Sequence, residues 1–161
     1  MKKIKYFSIA FVLLILVNGC AGYEPIFRTT NLQFEIADYS IKGNKNLARQ
    51  IYTKLYSLSK SNKNNSAAQS INVSIEVIKN KNSTVKNSAG KILEYKVSIT
   101  SNIEIKDFLT SKEILNDKFS YSGSYKVQDE YSETVKVENR IIENLINKTY
   151  QDLLIKMSSM Q

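Results

Sequence analysis

The chain has 161 residues, 23 Lys+Arg against 15 Asp+Glu, a formal net charge of +8, one cysteine, no histidine and no tryptophan. One cysteine excludes an intrachain disulfide, and the lack of histidine excludes His-based triads, His general acids or bases and Cys/His zinc sites. No pattern of carboxylates or lysines marks a catalyst, so the chain is expected to be neither an enzyme nor a metal or cofactor protein.

The N-terminus reads MKKIKYFSIAFVLLILVNGC. Lys2, Lys3 and Lys5 precede an apolar run, Phe7 to Val17, interrupted only by Ser8. That run is too short for a helix across a bilayer core of about 30 Å and has the length of a signal-peptide h-region. The only cysteine, Cys20, closes it after Gly19. Val17-Asn18-Gly19-Cys20 resembles the lipobox of bacterial lipoproteins, with Asn18 an unusual choice. The resemblance implies removal of residues 1–19 and acylation of Cys20, with more than one chain because a single one anchors only marginally. Residue 21 is Ala and not Asp, which in such lipoproteins favours the outer membrane, on its periplasmic face. In that compartment a basic balance points to anionic head groups, phosphorylated glycolipid or acidic protein surfaces, with no nucleic acid among the partners.

Residues 20–31 form a lipidated arm with the only proline, Pro25. Tyr23, Ile26 and Phe27 are expected to contact a barrel or the bilayer interface. A single domain then spans 32–161. Leu32, Phe34 and Ile36 alternate with polar residues as a half-buried strand, and KGNKN breaks it. Leu47, Ile51, Leu55 and Leu58 recur at helical spacing, with Asn44 as the N-cap and Tyr52 and Tyr56 beside the stripe. A polar loop is expected over 61–70.

Ile71, Val73, Ile75 and Val77 form a second strand. Tyr95, Val97, Ile99, Ile103 and Ile105, with Ser101 among them, form one face of a third, and the opposite face is polar. Between them a long connection is expected over 79–91, carrying Lys79, Lys81, Lys86 and Lys91. A fourth strand runs near Glu113 to Ser122, with Leu115, Phe119 and Tyr121 inward and Asp117 interrupting. A final 28-residue helix is expected to start at an Asp129 cap. Tyr131, Val135, Ile142, Ile146, Tyr150, Leu153 and Met157 form its stripe. Glu130, Glu133, Glu138 and Glu143 are read as a solvated face. The fold expected is α+β in the order β-α-β-β-β-α, a four-stranded, mainly antiparallel sheet with both helices on one face.

The segment CAGYEPIF, from Cys20 to Phe27, together with this element order and the final tyrosine-bearing turn into a long helix, resembles the LPS-assembly lipoproteins (the LptE family) in their alphaproteobacterial form. Ala21 is an extra residue relative to that pattern. The resemblance implies a lipoprotein that plugs a large outer-membrane β-barrel, the LptD-like lipopolysaccharide translocon. It also implies help with that barrel's assembly and binding of lipopolysaccharide in transit. Lys79, Lys81, Lys86, Lys91 and Lys96 are expected to meet the glycolipid phosphates, as mobile point charges. Tyr121 and Tyr125 either touch the barrel or pack the sheet margin on the final helix. The alternative function is a free-standing periplasmic lipid-binding lipoprotein, such as an auxiliary subunit of an ABC-type lipid transporter, which would need an apolar cavity.

Overall fold

A computed structural model describes residues 32–61 and 68–159. Six elements follow in the expected order: β1 (Phe34–Gly43), α1 (Lys45–Ser61), β2 (Gln69–Lys86), β3 (Ile92–Asp107), β4 (Glu113–Lys126) and α2 (Tyr131–Ser158). The sheet order is β1-β2-β3-β4. The β2–β3 and β3–β4 pairs are antiparallel, and β1 runs parallel to β2. Parallel neighbours need a crossover, which α1 supplies. The fold is therefore α+β with a mixed sheet.

Alternation decides the two sheet faces. Val73, Ile75 and Val77 of β2 are buried beside Val97, Ile99, Ile103 and Ile105 of β3 and Leu115 and Phe119 of β4. Both helices contact this face, with Leu47, Ala48, Ile51 and Leu55 of α1 and Ile142, Ile146, Leu153 and Leu154 of α2 joining one continuous core. Ser101 lies among them, fully buried. Where Gly123 lies under α2, a Cβ would sit 2.8 Å from Ile141 Cγ2, so the missing side chain lets the helix approach β4.

Several boundaries differ from the sequence expectation. β1 continues through Asp38 to Gly43, with a register shift between Ile36 and Asp38 that keeps the strand paired to β2. The expected 79–91 connection is instead an extension of the sheet: β2 and β3 stay paired as far as Lys86 and Ile92, leaving only residues 87–91 as the turn. There Asn87 Oδ1 accepts from the backbone N–H groups of Ala89 and Lys91. The expected 61–70 loop is likewise shortened, because β2 begins at Gln69; residues 62–67 lie outside the described residues.

Asn44 does cap α1, its Oδ1 accepting from Leu47 N at 3.2 Å. Asp129 does not cap α2. The N-cap position falls on Glu130, which makes no side-chain capping bond, while Thr134 Oγ1 accepts from Gln128 N at 2.9 Å and ties the entering chain to the first turn. Tyr131, placed on the apolar stripe by spacing, is 83% exposed because it stands beyond the end of the core.

Candidate interaction surface

Two surfaces carry the residues singled out in the sequence. The first lies where the β2–β3 arm outruns the core and meets the first half of α2. Odd-numbered residues of β2 face the helices, so Lys79 and Lys81 continue the row of Val73, Ile75 and Val77. There Glu138 of α2 receives Lys79 Nζ at 2.9 Å and Lys81 Nζ at 2.5 Å, and its Oε2 accepts from the Tyr125 hydroxyl at 2.6 Å. The Lys81 ammonium also stands 4.3 Å from the Tyr95 ring centroid and 5.6 Å from that of Tyr125. The two rings are tilted at 5.9 Å. A cation held between aromatic faces and a carboxylate is an electrostatically satisfied unit.

Glu138 is thus not part of a solvated helix face; its side chain is 14% exposed. Burial pushes its carboxyl up, but the hydrogen bonds from Lys81, Tyr125 and Lys79 outweigh that and hold it at about 2. Burial lowers Lys81, and its bonds with Glu138 and Tyr125 more than reverse this, so its ammonium stays charged. Tyr125 is raised, first by burial and then by the bond to Glu138. One signal in the sequence pointed here: Glu138 sits three residues after Val135 and four before Ile142, on the inward stripe itself.

The five lysines do not form one patch. Lys79 and Lys81 are engaged with Glu138 on the helix side. Lys81 and Lys91 line a cleft of about 300 Å³ beside Tyr95 and Tyr131. Lys86 ends β2 at the tip of the arm. Lys96, paired across the sheet with Asn82 and Ser124, belongs to the opposite, open face. Lys86, Lys91 and Lys96 are all exposed. Tyr121 and Tyr125 both turn to α2: the Tyr121 hydroxyl donates to Asp152, and burial followed by that bond pushes Tyr121 up to about 12. Cys20, Tyr23, Ile26 and Phe27 lie outside the described residues.

The second surface is the open sheet face. The even-numbered residues of β3, Lys96, Ser98, Thr100, Asn102, Glu104 and Lys106, run along it beside Ser120, Ser122 and Ser124 of β4. Thr100 and Ser120 share a hydrogen bond of 2.8 Å, Ser40 donates to Ser74 at 2.9 Å, and Asn102 donates to Glu76 at 3.1 Å. Short hydroxyl side chains make most of this face polar, although Ile78, opposite Thr100, is 44% exposed on it. On the helix side, a cleft of about 790 Å³ opens between α1 and α2. Its apolar lining comes from Leu47 and Ile142, beside Arg49, Lys54, Lys79 and Glu143.

This geometry defines a class: a four-stranded α+β domain with one helix layer and an uncovered polar sheet face. Within it, the chain is similar in fold to solved lipoproteins. Rare lipoprotein B from Shewanella oneidensis superimposes with a TM-score of 0.52 at 16% identity, over 76% of this chain and 94% of that one. Uncharacterized lipoprotein B from Nitrosomonas europaea does so with a TM-score of 0.55 at 14% identity, over 83% and 88%. No family model and no curated protein matches the sequence.

Proposed function

We propose that this chain is a non-enzymatic lipoprotein of the outer membrane, acylated at Cys20, that sits on the periplasmic face and plugs a large β-barrel translocon for lipopolysaccharide. The observation that carries this reading is the open sheet face. Barrel lumens of that kind are polar. The hydroxyls and amides of the sheet face can exchange water for wall groups, and Glu104 and Lys106 on this face already pair at 2.7 Å; Lys118 would take an acidic wall group, while Lys96, at the arm end of the row, stays clear of the wall for the glycolipid. The shared fold with solved lipoproteins and the CAGYEPIF segment support the same assignment. The alternative, a free lipid carrier, requires an enclosed apolar cavity, whereas the cleft between the helices is open to solvent and has only Leu47 and Ile142 as apolar lining residues.

The test is extraction in mild detergent through a C-terminal tag. A plug brings down a barrel protein of much larger mass, and its depletion lowers the amount of assembled barrel. Recovery of the chain alone, with barrel levels unchanged on depletion, overturns the plug reading.

Lipopolysaccharide contact falls in this reading to Lys86, Lys91 and Lys96, because Glu138 already occupies Lys79 and Lys81. Three exposed ion pairs at about 0.5 kcal/mol each correspond to about a tenfold loss of affinity. Replacing the three lysines by Gln is therefore expected to weaken binding of purified protein to lipopolysaccharide by about that factor at low salt, and to flatten its salt dependence. Equal affinity at both salt concentrations removes these lysines from the ligand path.

A further inference from the structure

The end of the sheet opposite the β2–β3 arm holds an unusual turn. Residues 108–112 join β3 to β4, and they expose Phe108 (46%) and Leu109 (84%) to solvent. The turn is not slack. Asp107 Oδ1 accepts from Leu109 N at 3.1 Å, Thr110 N at 2.8 Å and Thr110 Oγ1 at 2.8 Å, while its Oδ2 accepts from Gln69 Nε2 at 2.9 Å. Phe108 N donates to Ser70 O, and Ser111 N to Asp107 O. Two apolar side chains are thus held outward on a backbone whose N–H groups are already satisfied. Such a backbone can leave water at little cost, because its donors keep their partners.

The turn lies close to the point where the domain begins. The described chain begins at Leu32, and Gln33 O accepts from Gln69 N at the start of β2. Gln69 in turn bonds Asp107. The point where the N-terminal arm joins the domain is therefore two strand spacings, about 10 Å, from the turn. Only residues 21–31 separate Cys20 from Leu32, so acyl chains on Cys20 would keep this end within about 40 Å of the bilayer at full extension. The lysine-rich arm points the other way. Exposed Lys112 closes the turn beside the apolar pair, with the sign that suits anionic head groups.

We propose that the Phe108–Leu109 turn is a second membrane contact, seated in the interfacial region of the leaflet that holds the Cys20 acyl chains, and that it sets the tilt of the domain on that surface. This rests on the lipidation reading and is independent of the barrel. The test uses the full acylated protein carrying Ser111→Cys or, at the other end of the sheet, Ser88→Cys, so that Lys112 stays in place. Cys20 is the only native thiol and acylation consumes it, so a fluorophore reports only the introduced site. The protein is placed in phosphatidylethanolamine–phosphatidylglycerol vesicles containing spin-labelled lipid. Quenching at position 111 should exceed that at position 88 by about threefold, and adding Phe108→Ser and Leu109→Ser should remove most of the difference. Equal quenching at 111 and 88, or a difference that survives the serine substitutions, overturns the membrane contact. Labelling of two thiols per chain shows Cys20 unacylated and overturns the tether itself, a failure distinguishable from the first two.

Discussion

Replacing Glu138 by Gln should destabilise the protein by about 2–3 kcal/mol at neutral pH, and that loss should fade in acid. In the native protein one carboxylate answers two ammonium groups and a tyrosine hydroxyl. The amide keeps the shape and removes the charge, leaving Lys79 and Lys81 close together without a counter-ion in a partly buried place. The pH signature follows from the direction of the shift. The Glu138 carboxyl is held at about 2 in the fold against an ordinary 4.5. A depressed carboxylate contributes stability that is fully present above 4.5 and is lost as pH falls through 2. Urea unfolding at about pH 7, 4 and 2.5 should therefore show the wild-type midpoint falling toward that of Glu138→Gln, with the gap widest at neutral pH. A gap of constant size across that range would mean that the pair contributes through shape and not through charge.

The second large effect is expected at Gly43, where β1 turns into α1. Its φ is +68°, and a Cβ there would lie 2.3 Å from the carbonyl oxygen of Val77. That same oxygen accepts from Asn44 N at 2.7 Å, so it cannot move away without breaking the bond that seats the helix cap. The left-handed backbone costs about 1–2 kcal/mol for a non-glycine residue, and the overpacked contact adds about 1–3 kcal/mol. Gly43→Ala should lose about 3–4 kcal/mol, lowering the thermal midpoint by about 10 °C for a domain of this size. Gly90 supplies the control. It has a φ of +80° but open space around it, so Gly90→Ala should cost only the backbone strain, about 1–2 kcal/mol. Equal losses at the two glycines would show that the Val77 carbonyl yields and that backbone conformation alone decides.

These two sites also mark the boundary between local and tertiary information. The strands and helices that carry the core were legible because each pairs a regular period with burial on one side. Ile71 to Val77 and Val97 to Ile105 alternate, Leu47 to Leu58 recur at helical steps, and Asn44 stands where a cap belongs. The polar row of β3 was equally visible, and with it the uncovered face on which the functional reading depends. The reading failed where apolar periodicity stops before the hydrogen bonding does. Past Val77 the strand outruns the core, so Ile78 to Lys86 carry no alternating pattern, yet they stay paired to β3.

The amino-acid order alone thus determined most of the inward residues of the core, with Tyr131 and Glu138 the exceptions, and how many elements there are, since period is local to each segment. Only the tertiary structure decided that β1 runs parallel to β2, that Glu138 draws Lys79 and Lys81 to one point, and that Lys96 faces away from both. Those are relations between segments tens of residues apart. They depend on where α1 crosses, how far the β2–β3 arm extends and which end of the sheet meets which helix, and none of that is written in the spacing of any one stretch.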